Sequence, residues 1–292
     1  MIAPLISRRQ MLNRSAQAAA VLTMSPSLSP LFAAPAARRF QIGACDWSIG
    51  KMGEPAAFEV AKQIGLDGVQ VSLGTAANDM QLRRAEVQQQ YREAAKLSGL
   101  EIGSLAIGEM NNVPYKSDPR TVAWVSDSVD ACHALGVRVV LLAFFGNGDL
   151  RDDPAGVDEV VKRLKGVAPK AEKAGVILGI ESWLSAEAHL DILKRVGSKA
   201  VQVYYDVCNS NDRGYDIYQE IRQLGRERIC EFHFKENGAL LGQGKVDFAK
   251  VRAALDDIRY EGWVQIEGAV PSGKPMLESY QSNCKFVRSV LA

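Results

Sequence analysis

Several features are scarce in this 292-residue chain, and each scarcity removes a class of function. No Gly-x-Gly-x-x-Gly run follows any hydrophobic stretch, so the sequence encodes no dinucleotide phosphate loop. The five cysteines (Cys45, Cys132, Cys208, Cys230 and Cys284) are odd in number and lack C-x-x-C spacing. That pattern argues for unpaired thiols rather than a disulfide framework or a sulfur-ligated metal. Neither sign of charge is in excess, with 35 Lys and Arg against 34 Asp and Glu, a net +1. A near-neutral chain carries no electrostatic footprint for nucleic acid. The apolar segment from Ala18 to Leu31 is broken by Pro26 and Pro30, whereas a bilayer span needs about 20 apolar residues, so no membrane span is expected. No linker or composition break divides the rest, and one domain suffices.

What is present begins with an atypical N-terminus. Residues 1–36 hold Arg8, Arg9 and Arg14, no acid, and then a stretch rich in Ala, Leu and Ser. The run Ser-Arg-Arg-Gln-Met-Leu at 7–12 resembles the twin-arginine export motif, and Ala34-Pro35-Ala36 offers a small-residue cleavage site. An amphipathic helix or a lipid anchor is the alternative. Residues 1–36 are therefore expected to be a signal peptide, residues 37–292 the mature domain, and the periplasm or another exported location its destination. Without those three arginines the balance is 32 basic to 34 acidic residues, a net −2. The twin-arginine route carries proteins already folded, which suits a metalloprotein loaded before export.

From residue 40 onward, β-rich runs alternate with helical patterns. Strands are predicted at 40–45, 68–73, 100–106, 137–144, 175–182, 201–206, 229–233 and 262–267. Between and after them, apolar spacing of three and four residues predicts helices at about 55–64, 79–98, 118–134, 156–174, 185–196, 216–225, 248–258 and 275–291. Gly65, Gly99, Gly136, Gly175 and Gly262 fall between a helix and the next strand, and Asp118-Pro119 and Asp153-Pro154 read as helix starts. Eight βα units in about 250 residues match a (β/α)8 barrel, a TIM barrel in the α/β class; a doubly wound open sheet is the alternative.

Four of the late strands end in a polar, metal-compatible side chain: Glu181, Asp206, His233 and Glu267. In a barrel these tips are consecutive neighbours on one face, the face where active sites are built. A lone carboxylate there is often a helix N-cap or an ion-pair partner. Four together make a ligand set of mostly hard oxygen donors with one nitrogen, suiting Mn²⁺ first and Mg²⁺, Co²⁺ or Zn²⁺ after it. A metal holding a carbonyl and its neighbouring hydroxyl eases removal of the α-proton through a metal-bound enediolate. Glu181 and Glu267 are the expected acid/base pair.

The motifs Ile180-Glu181, Tyr205 to Asn209, His233 to Lys235, Leu241 to Asp247 and Ile266-Glu267 together resemble the sugar phosphate isomerase/epimerase superfamily with the xylose isomerase-like barrel. Ketose 3-epimerases, hydroxypyruvate isomerase, inosose dehydratase and type-IV apurinic endonucleases share that pattern. The resemblance implies one divalent ion on Glu181, Asp206, His233 and Glu267, with both glutamates also catalytic. It implies substrate contacts from Glu187, six residues after the first ligand, and from Lys235 in a His-x-Lys motif like that of the inosose dehydratase branch. Two positions depart from the ketose 3-epimerase pattern: Asn209 stands where a histidine is expected, and Ala239 where an arginine is expected. The nuclease branch needs several histidines at strand tips, and of three here His133 and His189 fall inside helical patterns.

Trp47 and Trp183 lie just past strand ends, where aromatic faces can meet the C–H face of a sugar or simply cap the core. Glu109, Asn111 and the Phe144 to Asn147 stretch are further mouth candidates, and Gly242-Gln-Gly244 is expected to pass backbone near the substrate. Cys208 is placed in a loop. The expected function is a metal-dependent sugar isomerase or epimerase with a small carbohydrate substrate. The alternatives are a lyase, dehydratase or epimerase on a 3-keto-glycoside or inosose, and, in another class, a non-catalytic sugar-binding barrel. A homo-oligomer is left open.

Overall fold

In the computed structural model the described residues are 39–292; the expected signal peptide lies outside them. Eight parallel strands close into a barrel in sequence order. They are β1 (Phe40–Cys45), β2 (Gly68–Ser72), β3 (Glu101–Ile107), β4 (Val139–Phe144), β5 (Ile177–Ser182), β6 (Val201–Asp206), β7 (Ile229–Glu236) and β8 (Gly262–Gly268). The helices outside are α1 (Ala57–Ile64), α2 (Ala85–Ser98), α3 (Arg120–Leu135), α4 (Pro154–Ala174), α5 (Ala186–Val196), α6 (Val207–Asp212), α7 (Ile217–Leu224), α8 (Phe248–Asp257) and α9 (Met276–Leu291). A strand with helices on one side and the barrel interior on the other has no solvent face, which is why all six residues of β4, Val-Val-Leu-Leu-Ala-Phe, are buried.

Helix starts follow side-chain capping. Asp153, Ser185, Asp216 and Asp247 accept from backbone N–H groups of the first turns of α4, α5, α7 and α8. Glycines at 65, 99, 136 and 175 close α1 to α4 in the left-handed conformation, as expected. Gly262 does not: α8 ends earlier, at Asp257, and Gly262 opens β8 with φ 141°. The segment predicted as one helix from 79 begins with a short 3₁₀ turn, Gln81–Arg83, and α2 starts only at Ala85.

One helix was not expected. It is α6, which begins directly after β6 because one oxygen of Asp206 caps it, accepting from Cys208 N and Asn209 N at 2.8 Å each. Cys208 is therefore a buried helical residue rather than a loop residue. All five cysteines are free.

The barrel interior has two characters. Ala106, Val139, Leu141, Ala143 and Tyr204 form an apolar cluster. The rest of the interior holds buried Gln70, Ser104, Glu231, His233 and Gln265. Among the described residues no helix is long and apolar enough to cross a membrane.

Candidate metal centre and substrate cavity

Strand pairing brings the tips together. Asp206 stands opposite His233 across β6 and β7, and Lys235 opposite Glu267 across β7 and β8. His233 Nδ1 lies 2.8 Å from Glu181 Oε1, 3.5 Å from Glu267 Oε2 and 3.9 Å from Asp206 Oδ2. One donor atom from each of the four residues fits within a mutual separation of 4.8 Å. Glu181, Asp206 and His233 are all under 5% exposed.

Three carboxylates this close and this dry repel one another, and a cation is the simplest compensation. Burial raises the Asp206 carboxyl to about 7, with Glu267 and Glu181 pushing the same way and Lys235 opposing. Its Oδ2 is buried without a hydrogen-bond partner, while Oδ1 is fully used as the cap of α6. Glu267 takes the opposite course. Burial works against its charge, but His233, Lys235 and a bond from Trp47 outweigh it and hold the carboxyl down at about 2. Trp47 Nε1 donates to Glu267 Oε1 at 3.0 Å, and Lys235 Nζ donates to Oε2 at 2.9 Å. The clustering and the oxygen-rich donor set are those of a site that could hold one divalent ion on Glu181, Asp206, His233 and Glu267.

A cavity of about 360 Å³ opens over this cluster. Glu181, Glu267 and Lys235 form part of its wall, with Trp47, Phe145 and Trp183 as aromatic faces and Glu109, Asn111 and Asn209 as polar ones. Trp183 is fixed edge-on to Phe145 at 5.1 Å and flanked by Arg151 and Arg213 at 4.8 and 5.1 Å. Lys235 is half-buried, and desolvation works against its charge, yet its pKa is raised because Glu267 and Asp206 outweigh desolvation. It stays an ammonium at neutral pH, able to donate hydrogen bonds but not to act as a base.

A family model of the xylose isomerase-like TIM barrel matches residues 58–290. The chain belongs to this family. The likeness extends to a 2-epi-5-epi-valiolone 7-phosphate 2-epimerase from an Actinoplanes species, 24% identical over 225 residues, 74% of this chain and 82% of that one. The crystal structure of D-psicose 3-epimerase from Clostridium cellulolyticum superposes with a TM-score of 0.73 at 21% identity, covering 86% of this chain and 99% of that one. That of an Escherichia coli 3-keto-D-glucoside 4-epimerase does so with a TM-score of 0.71 at 16% identity, covering 86% and 99%.

Within this xylose isomerase-like barrel, the four donors come together, and Lys235, Asn209, Trp47, Trp183, Glu109, Asn111 and Phe145 surround them or line the cavity. Glu187 sits apart, exposed in the first turn of α5 and not among the cavity-lining residues. Phe144 is buried away from the cavity against Tyr115. Gly242 and Gly244 also lie outside the lining: Gly242 packs on Phe286 and Gly244 on Glu236, whose carboxylate accepts from Lys245 N and Val246 N. The expected close approach of that backbone to the substrate is replaced by a latch to the barrel wall.

Sequence reasoning missed Asp46 and Gln70. Asp46 is buried and accepts from Ser72 N and Oγ and from Gly53 N, which pins the loop that carries Trp47. Gln70 contacts His233 from below. The signal for Gln70 was the polar alternation Gln70, Ser72 in a strand that is otherwise apolar.

Proposed function

We propose that this protein is a divalent-metal-dependent sugar isomerase or epimerase that moves a proton at the carbon beside a carbonyl. One observation carries the reading: Glu181 and Glu267 reach the same donor cluster from β5 and β8, and both open into one cavity. A divalent ion held by Glu181, Asp206, His233 and Glu267 would polarise a substrate carbonyl and stabilise negative charge developing on it. Mn²⁺ suits the three oxygen donors and single nitrogen best, with Mg²⁺, Co²⁺ and Zn²⁺ as alternatives.

The chain's own groups divide the remaining work. One glutamate removes the α-proton and the other returns one, at the same carbon from the opposite face or at its neighbour. Trp47 and Lys235 hold Glu267 in place through its two oxygens. The Lys235 ammonium can pass a hydrogen bond to a substrate oxygen. Trp47, Phe145 and Trp183 offer faces to sugar C–H groups and exclude water. The proposed location is outside the cytoplasm, by the twin-arginine signal in residues 1–36.

A second reading, supported by Lys235 in the cavity wall and by Asn209 and Ala239 in place of ketose-binding residues, is action on a 3-keto-glycoside or inosose. The same proton removal then ends in epimerisation or in loss of a β-oxygen substituent. A binding-only barrel would have no use for the glutamate pair. Glu181→Gln and Glu267→Gln should each lower solvent-deuterium incorporation into substrate by about 10²- to 10⁴-fold, measured by proton NMR. Full exchange in both variants would assign the proton transfer elsewhere.

A further inference from the structure

We infer that Gln70 is a positioning residue for the donor cluster, fixing His233 in the tautomer that turns a free Nδ1 toward the three carboxylates. The inference rests on reading that cluster as a metal site. An imidazole that ligates through one nitrogen must carry its proton on the other, and the partner of that other nitrogen decides the matter. His233 Nε2 lies 2.9 Å from Gln70 Oε1. A carbonyl oxygen only accepts, so Nε2 holds a proton; Nδ1, 2.8 Å from the acceptor Glu181 Oε1, carries a second one there that a bound ion would displace.

The direction of the Gln70 amide is itself set by its neighbours. Gln70 Nε2 lies 3.0 Å from both Ser104 Oγ and Tyr204 OH. The Tyr204 hydroxyl gives its one proton to Glu231 Oε2, 3.0 Å away. It therefore offers Gln70 a lone pair, which requires the NH₂ end of the amide to face Tyr204 and the oxygen to face His233. A reversed amide would demand a lone pair on Nε2 and leave an N–H on Nδ1, aimed at the carboxylates with nothing to give an ion. The donation thus runs from His233 to Gln70 to Tyr204 to Glu231.

Each member of that chain is at most 2% exposed, so no water competes for these bonds. The Tyr204 ring also packs against the imidazole, with centroids 4.6 Å apart, and limits its tilt. Cys45 Sγ stands 3.1 Å from Gln70 Oε1, to which its S–H donates, and 3.3 Å from His233 Nε2, so the thiol proton is spent on Gln70 and Nε2 keeps its own. The arrangement follows from strand alternation: Gln70, Tyr204 and Glu231 point into the barrel on β2, β6 and β7, one layer beneath the ligand tips.

The test uses the full chain, with Gln70→Met as a similar-sized side chain lacking the acceptor, Gln70→Glu as one retaining it, and Tyr204→Phe. Manganese dissociation constants come from electron paramagnetic resonance titration, and melting of the metal-free proteins confirms folding. Gln70→Met should bind Mn²⁺ about 10- to 100-fold more weakly, with Gln70→Glu closer to wild type and Tyr204→Phe in between. In the zinc-loaded wild type labelled with ¹⁵N-histidine, His233 should show a proton on Nε2 and none on Nδ1. Equal affinity in folded Gln70→Met, equal weakening by Met and Glu, or a proton on Nδ1 would each overturn the inference. If Gln70→Met does not fold, unchanged affinity in Tyr204→Phe overturns it. A wild type that binds no divalent ion at all would instead remove the underlying metal reading.

Discussion

His189 shows how one buried side chain links acid stability to the geometry behind Glu181. Its Nδ1–H donates to the Ser185 carbonyl at 3.0 Å, leaving Nε2 to accept from Ser182 Oγ at 2.9 Å, and Ser182 directly follows Glu181. Burial lowers the His189 pKa from 6.5 to about 4. The folded chain therefore binds fewer protons than the unfolded one across that window, so stability is fully present above pH 6.5 and falls as pH drops toward 4. The loss is about 3 kcal/mol, or roughly 6 °C in melting temperature. His189→Gln should flatten that part of the melting-temperature profile between pH 6.5 and 4; an unchanged slope would show that other groups carry it. At this scale the sequence revealed the four donor side chains because each is ionisable and ends an apolar run. It did not reveal Gln70, Tyr204 or Glu231, whose roles depend on which strands face one another across the barrel.

Among the elements, the connection between β7 and α8 is tightly constrained at Gly242. A Cβ at Gly242, where φ is 78°, would lie 2.4 Å from the Phe286 ring of α9. Both the backbone conformation and the packing exclude a side chain there. Gly242→Ala should cost about 1–3 kcal/mol in urea unfolding, while metal affinity stays near wild type because the loop does not line the cavity. An equally stable variant would refute the packing account. Strands were legible because apolar runs of five to eight residues bounded by glycine have few other solutions in a two-sided sheet. The helix α6 was not, since its six residues carry no apolar periodicity and it forms only because Asp206 caps it while also facing the donor cluster. A carboxylate with one oxygen in each role reads from sequence as either a cap or a ligand, and here it has the geometry of both.

For the whole molecule, barrel closure turns four separated strand ends into one site, and a (β/α)8 count was enough to anticipate that convergence. The counts of strands and of late polar tips were legible; the depth of the polar interior and the exposed position of Glu187 were not, because they depend on side-chain direction. The same closure gives the sharpest test of the account. The chain should be stripped of metal with a chelator and incubated in D₂O with a panel of free ketoses and 3-keto-glycosides, with exchange of the proton beside the carbonyl followed by NMR as Mn²⁺ is added. Exchange should be absent without metal and should set in with added Mn²⁺, saturating at about one equivalent per chain. Exchange that persists at full rate in the stripped protein, or a chain that takes up no divalent ion, would contradict the account.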